Sequence, residues 1–305
     1  MYYIVINPSA RSGRGRKSWK QLQTMLKEEQ IPCRPVFLKK PGDAQEAARK
    51  LSSLPRPLNV VIAGGDGTLN EFLSGLDSFE GITLSVIPTG SGNDFVRGMG
   101  LPSRPRECVH MLKDPKMIKP IHVGIVSGSG RQRYFAVSSG LGYDAAVCYE
   151  SVQSPLKTAL NRLGLGKLIY TLNALRLLWT IRPLSLSVCL DGNETRHYAS
   201  VYFAAAMNTR FEGGGFMFAP KADPCDESLD LIIVEGISRL KALLLLPTAF
   251  AGWHTRFGGI HLRRCSCVSI KSSEPACVHA DGEHVGFESE VTFSLSRETL
   301  SILAG

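Results

Sequence analysis

The sequence predicts a chain in two parts, an open parallel α/β domain followed by an antiparallel β-sandwich. Three observations carry that expectation. Over residues 1–120, apolar runs of strand length alternate with amphipathic helical patterns, the spacing of a parallel sheet with helices on both faces. After Pro120 the pattern turns to β-rich runs separated by turn signals such as Gly128-Ser129-Gly130 and Asp191-Gly192-Asn193, as in an antiparallel sandwich. Three loops rich in Gly, Ser, Thr or Asn follow strands of the first part, at Asn7 to Gly13, Gly64 to Thr68 and Pro88 to Asp94. Open α/β sheets bind ligands at the carboxyl ends of their strands. The division expected is 1–120, completed by residues 297–305, and 121–296.

In the first part the strands expected are Tyr2–Ile6, Arg34–Leu38, Val60–Ala63 and Leu84–Ile87. The helices expected are Gly15–Gln30, Asp43–Leu51, Thr68–Leu76 and Arg106–Leu112. In the second part, strands are expected at Val123–Val126, Arg133–Val137, Leu184–Leu190, Ser200–Met207, Leu229–Val234, Cys267–Lys271, Cys277–Ala280 and Val291–Leu295. Helical insertions are expected at Pro155–Ile181 and Arg239–Phe257. The first insertion reads either as a membrane-facing amphipathic element or as a helix packed on the sandwich.

Charge narrows the partners. The formal net charge is +8, and residues 1–60 hold 12 Lys/Arg against 4 Asp/Glu, so the remainder is neutral. A basic N-terminal stretch suits a polyphosphate or an anionic membrane. It lacks the interleaved aromatic residues of a nucleic-acid surface, so no nucleic-acid partner is expected. Eight cysteines without C-x-x-C spacing argue against zinc and fit reduced thiols in a cytoplasmic protein. No secretory signal is read at the start. The most apolar stretch, Leu240 to Ala251, contains Lys241 and Pro247 and is too short to span a bilayer.

The most informative segment is Gly64-Gly65-Asp66-Gly67-Thr68-Leu69-Asn70-Glu71, set between a buried strand and a helix. Glycines there leave backbone N–H groups bare at the positive end of a helix, a phosphate site. Asp66 would repel phosphate unless a divalent cation sat between them, so the motif points to a metal–nucleotide. In the second part three clusters stand out. Asn208 to Gly215 closes a strand with a glycine run that admits close backbone approach. Asp223, Asp226, Glu227 and Asp230 precede a strand and read either as a partly carbonyl-lined Mg²⁺ site or as a solvated acidic turn. Asp281-Gly282-Glu283 offers two carboxylates on one side if extended, a candidate general base with a partner. Locally, a hairpin turn of the Asp-Gly type fits it better.

Taken in order and at their spacing, Gly64–Glu71, Pro88 to Phe95, Gly213-Gly214-Gly215 and Asp281-Gly282-Glu283 resemble the diacylglycerol-kinase catalytic family. The resemblance spans essentially the whole chain and is to the soluble bacterial lipid-kinase branch, related to sphingosine and ceramide kinases. The Gly-Gly-Asp-Gly-Thr core is shared with NAD kinases and, more loosely, phosphofructokinases. Leu69-Asn70-Glu71 and Gly92-Asn93-Asp94-Phe95 are more specific to lipid kinases. The family implies ATP and Mg²⁺, with nucleotide contacts at Asn7, Gly64, Gly65, Asp66, Gly67, Thr68, Leu69, Asn70, Glu71 and Ser91. It implies Asp281 as general base and Glu283 as its helper near the metal. It also implies a structural Mg²⁺ held by the Asp226 carboxylate and by backbone carbonyls at Asp223 and Ser228. Ser91 and Leu38 stand where relatives have Thr, and Cys225-Asp226-Glu227 where they have Asp-Asp-Gly.

The function expected is therefore transfer of the ATP γ-phosphate to a lipid hydroxyl, diacylglycerol first, by a protein peripheral at the inner membrane face. A homodimer through the sandwich would resemble relatives. The alternatives are a kinase of another lipid (sphingoid base, ceramide or monoacylglycerol), a soluble kinase of the NAD-kinase type, and a weakly catalytic nucleotide or lipid sensor.

Overall fold

The computed structural model describes residues 1–8, 15–154, 166–193 and 195–305. The chain divides into two compact units, Met1–Val123 with Ser296–Gly305, and Gly124–Leu295.

The first unit is the parallel α/β part. Strands β1 (Tyr2–Ile6), β2 (Cys33–Phe37), β3 (Leu58–Gly64) and β4 (Ile82–Pro88) alternate with helices α1 (Gly15–Glu28), α2 (Asp43–Ser52) and α3 (Asp66–Leu73). Helices α4 (Asp94–Gly98) and α5 (Pro105–Lys113) follow. The strand order is β2–β1–β3–β4, every pair parallel. Ser301 and Ile302 pair parallel with Thr83 and Leu84 and extend the sheet beyond β4. Strand β3 is buried along nearly its whole length, as a strand covered on both faces must be. The reason lies in the helix stripes. Helix α2 buries Ala44, Ala47, Ala48 and Leu51, one face at helical spacing. Helix α1 brings Leu22 and Leu26 onto a cluster with Ile4, Ile6, Val61 and Leu303. Gly75, just beyond α3, lets that chain lie close against α2: a Cβ there would be 2.3 Å from the Gln45 carbonyl oxygen.

The second unit is antiparallel. It takes in most of β5 (Ile118–Gly128), then β6 (Arg131–Phe135), β7 (Ser138–Gly142), α6 (Tyr143–Gln153), α7 (Gly166–Thr180), β8 (Leu184–Leu190), β9 (Thr195–Met207) and β10 (Leu229–Glu235). After α8 (Arg239–Leu245) come two short 3₁₀ turns, then β11 (Ile260–Cys265), β12 (Cys267–Ala280) and most of β13 (Glu283–Leu303). Two long strands each serve two partners. The first half of β9 pairs with β8 and its second half with β7 and β10. Strand β12 likewise pairs with β8 near Ile270 and with β7 near His279. The layers formed in this way enclose one core that includes Phe135, Leu186, Val201, Ile233, Val268 and Phe293. A second cluster around Phe203, Met207 and Ile232 is covered by Leu178 of α7 and by Ala242 and Leu243 of α8.

Several elements differ from expectation. The two strands expected at Cys267–Lys271 and Cys277–Ala280 are one strand, with a register shift between Lys271 and Ala276 where Pro275 withholds an N–H. Strand β13 runs for 21 residues rather than five. Strands β7 and β11 and helices α4 and α6 have no counterpart among the expected elements. The sequence of β7, Ser-Ser-Gly-Leu-Gly, is buried throughout yet shows no apolar alternation. Residues 155–165 of the first expected insertion lie outside the described residues. The remainder forms α7, with Leu177 and Leu178 buried and Tyr170, Leu172, Leu175 and Trp179 exposed.

Candidate active site

In the first unit the glycine turn joins the end of β3 to α3. Gly65 is the extended residue before the helix, and no side chain caps α3. The first N–H groups of the helix therefore keep no intrahelical partner. The turn is pressed against the loop after β4. The Thr89 and Gly90 amides donate to the Gly64 carbonyl at 2.8 and 3.3 Å. A Cβ on Gly65 would meet the Gly90 Cα at 2.9 Å, and one on Gly90 would meet the Gly65 Cα at 2.5 Å. Only glycine at both positions lets the two backbones touch, which leaves a surface of backbone at the carboxyl end of the sheet.

Asp66 points into that contact. Its carboxylate accepts the Asp94 and Phe95 amides at 3.0 and 3.1 Å, so it caps the short helix α4 from 28 residues upstream. The charge is answered within the unit by two N–H groups. Gly67 is half-buried, and Thr68, Leu69 and Asn70 are buried. Thr68 packs where a Cβ on Gly64 would sit, and Glu71 accepts the Gly42 amide. The Asn7 amide donates to Ala63 at 3.3 Å, placing that residue beside the end of β3. Ser91 is exposed in the loop next to Gly90. Leu38 is buried and lines a cavity of about 480 Å³ with Pro8, Arg16, Trp19, Lys20, Phe37 and Lys39. Three cations around that cavity suit an anionic guest.

In the second unit Asp281 and Gly282 form the two-residue turn between β12 and β13, with φ of 51° and 81° and Ala280 paired to Glu283. Positive φ at both central residues is what such hairpins require. The segment is thus not extended, and the same-side arrangement expected of Asp281 and Glu283 does not arise from strand alternation. Glu283 is exposed at the start of β13. The Asp281 carboxylate turns back to accept three amides, Ala136 at 2.8 Å, Val137 at 2.7 Å and Ser138 at 3.0 Å. Its own amide donates to the Ser138 carbonyl at 2.8 Å. A carboxylate has about four acceptor positions, so most are engaged by backbone and the side chain is held in one orientation.

Next to it lies a group without an expected role. His279 is fully buried, and its Nε2 is 3.0 Å from Asp144 and 3.3 Å from Glu212. Asp144 opens α6, and Gly140 of β7 makes room for it, since a Cβ there would lie 2.5 Å from Asp144 Oδ2. Burial opposes charging the ring, but the hydrogen bond to Asp144 and the fields of Glu212, Asp144 and Asp281 push its pKa up to about 9. The Gly282 amide donates to Nδ1 at 3.1 Å, which favours the neutral ring. One neutral hydrogen bond contributes about 1 kcal/mol and charged ones more, so the upward direction holds. These three residues have the composition of a metal site. A metal-bound histidine, however, donates its other N–H to an acceptor, whereas here Nδ1 faces a donor. The arrangement is a hydrogen-bond network in this structure; a metal on Nε2, like a second proton on the ring, would require the Gly282 amide to turn away from Nδ1. No periodicity marks Asp144 or Glu212, and their meeting with His279 depends on the pairing of β7, β9 and β12.

The acidic turn at 223–228 also differs from a cation site. Asp226 accepts the Ser228 amide and hydroxyl at 3.0 and 2.8 Å and pairs with Arg264 of β11. The Asp223 carbonyl accepts the Asp226 amide at 3.1 Å. The carboxylate and one of the two carbonyls implied as Mg²⁺ ligands are thus bonded within the protein, the carboxylate by a guanidinium. These residues do not fit a structural Mg²⁺ in this arrangement.

Residues 1–126 match the diacylglycerol kinase catalytic domain, and residues 137–304 match the YegS C-terminal NAD kinase β-sandwich-like domain. The YtlR protein of Bacillus subtilis (strain 168), which carries a lipid-kinase name, is 31% identical over 93% of this chain and 94% of its own. Among solved structures, a diacylglycerol kinase of Bacillus anthracis (strain Sterne) shares the fold at a TM-score of 0.72 and 18% identity, over 100% of this chain and 96% of that one. An NAD kinase of Archaeoglobus fulgidus, solved with ATP, does so at 0.55 and 15% identity, over 99% and 93%. With both halves matched in order and a relative of this identity along nearly its full length, the chain belongs to the diacylglycerol kinase catalytic-domain family and is a kinase.

Proposed function

We propose that this protein is a lipid kinase that transfers the γ-phosphate of ATP to a lipid hydroxyl, diacylglycerol first, giving phosphatidic acid. The observation that carries the reading is the backbone contact of Gly64-Gly65 with Thr89-Gly90 at an uncapped helix start. Backbone donors and a helix dipole suit the phosphates of a nucleotide. The neighbouring cations Arg16, Lys20 and Lys39 add to the attraction.

Phosphoryl transfer depends on positioning and charge neutralisation more than on covalent chemistry. Mg²⁺ enters as part of the nucleotide substrate, neutralising its phosphates. In this reading Asp281 accepts the proton of the attacking hydroxyl. The three amides on its carboxylate support that role by fixing the side chain in one rotamer before substrate arrives. Asp66 acts by keeping α4 and the Gly90 loop in register with the turn. The protein works at the cytoplasmic face of a membrane, where its substrate resides.

The test is a labelled-ATP assay with Mg²⁺ against mixed micelles of diacylglycerol, monoacylglycerol, a sphingoid base and ceramide, with NAD as the soluble control. Diacylglycerol is expected to be the best acceptor. Labelling of NAD alone in lipid-free buffer would replace the proposal with a soluble kinase, and labelling of no acceptor would replace it with a sensor.

A further inference from the structure

Residues 236–273 contain no Asp or Glu and six Lys or Arg. Within that acid-free stretch the segment from α8 through the two 3₁₀ turns exposes Leu240 (59%), Leu244 (66%), Leu246 (36%), Phe250 (55%), Trp253 (58%) and Phe257 (43%). Single exposed apolar residues are ordinary, but a concentration of large ones marks an interaction surface.

This segment is anchored to the second unit at several points. Ala242, Leu243 and Leu245 turn inward, so α8 has a buried stripe and its apolar exposure is additional to it. The Met217 amide donates to the Ala249 carbonyl at 2.8 Å. Phe250 stacks on Phe216 at 4.2 Å between centroids. Gly252 has a φ of 72° and lies where a Cβ would meet Pro220 at 2.7 Å. His254 is buried, its Nε2 is 3.2 Å from the Phe218 carbonyl, and burial lowers its pKa. A neutral His254 therefore pins the turn that displays Trp253 and Phe257. Arg239 and Arg256 flank the apolar side chains and have no acid partner among the described residues.

We propose that Arg239–Phe257 is a preformed docking surface for an anionic lipid bilayer, its apolar side chains entering the acyl boundary and its cations meeting headgroups. Exposed Leu, Phe and Trp with Lys/Arg in the same short segment is the composition of an interfacial element, and the absence of acids within the segment spares it repulsion from a negative surface. The proposal rests on the lipid-kinase reading for its purpose, though not for its test.

The full-length protein is incubated with vesicles of phosphatidylcholine alone or mixed with phosphatidylglycerol, at low and at 150 mM salt, and the bound fraction is measured. The parent is expected to favour the anionic vesicles. Leu244→Ser/Phe250→Ser/Trp253→Ser should lower partitioning at least tenfold. Arg239→Glu/Arg256→Glu, confined to the surface, should abolish the preference for anionic vesicles. Melting temperatures check that the variants fold. Activity on a short-chain, water-soluble diacylglycerol should be unchanged in both while activity on vesicles falls. Equal partitioning of parent and both variants overturns the proposal. So does conversion of a parent dimer to a monomer by the triple change, which would assign the surface to a second copy. Loss of vesicle binding without activity on any lipid would retain the docking surface and remove the lipid-kinase reading.

Discussion

Asp66 and Asp281 make an instructive pair. Each is an acid beside glycine in a turn, and each reads from sequence as chemistry. In the structure each is also a brace. Asp66 holds two amides 28 and 29 residues onward, a contact made within one βαβ neighbourhood. Asp281 holds three amides 143 to 145 residues back, a contact that exists only once β7 and β12 have paired. The first ties two loops of the sheet together, and the second locks a hairpin carboxylate. The catalytic role proposed for Asp281 would therefore share its carboxylate with more bracing amides than any role at Asp66 would, and substitutions can separate the two.

The largest effect is expected from Asp281→Asn. If the carboxylate is the base, kcat on diacylglycerol should drop by roughly 10²–10⁴-fold. An Asn also turns N–H donors toward amides already donating, so stability should fall by about 1–3 kcal/mol. ATP affinity should change little. Activity within tenfold of the parent would leave 281 as a brace only.

His279 sharpens the contrast by its pH dependence, because the network around it includes Gly282. Its folded pKa, about 9, lies above the ordinary value of 6.5. The stability it contributes is therefore complete below about pH 6.5 and is lost as pH rises through 9. Denaturant unfolding of the parent should show a loss of about 1–3 kcal/mol between pH 6.5 and 9.5. In His279→Gln that loss should disappear. The charged groups facing the ring are Asp144, Glu212 and Asp281, so Asp144→Asn should reduce the slope as well.

On the side of the first unit, Gly90→Ala forces a methyl against the Gly65 Cα. Overpacking at backbone contacts costs about 1–3 kcal/mol, and here ATP affinity should weaken with it. A calorimetric titration giving parent-like affinity would mean that the two loops need not touch to hold phosphate. Asp66→Ala removes only the cap on α4, a loss of about 0.5–2 kcal/mol. A much larger loss of turnover than of stability would give Asp66 a second role at the metal–nucleotide.

The smallest effect concerns Arg264. Because its guanidinium occupies Asp226, added Mg²⁺ should leave the melting temperature of the parent unchanged. In Arg264→Ala the freed carboxylate should allow Mg²⁺ to raise it by a degree or so, on the order of 0.5 kcal/mol. Stabilisation of the parent by Mg²⁺ would show that the ion displaces Arg264.

The parts of the molecule legible in the sequence are those in which one short segment contains its own explanation. Strand β3 reads as buried because Val60, Val61 and Ile62 are apolar without alternation. Helix α2 reads as a helix because its alanines recur at helical spacing. The Gly64–Glu71 turn announces itself because glycine, acid and hydroxyl are adjacent. Strand β7 is not legible in this way, because its burial is enforced by β9 and β12 on either side rather than by its own side chains. The continuity of Cys267–Ala280 as one strand is likewise not local, since it depends on pairing with β13 resuming at Ala276 after a register shift beside Pro275.

The sequence by itself determined the two-part architecture and the phosphate-type turn, which depend on residues close together in the chain, and the membership of a kinase family, which rests on short motifs whose order and spacing the chain itself displays. Tertiary structure decided what the carboxylates do. It gave Asp66 to the amides of α4, Asp281 to those of 136–138, Asp226 to Arg264, and Asp144 with Glu212 to His279. A carboxylate's work depends on which donors and charges come within about 3 Å of it, and most of those donors arrive from elements distant along the chain.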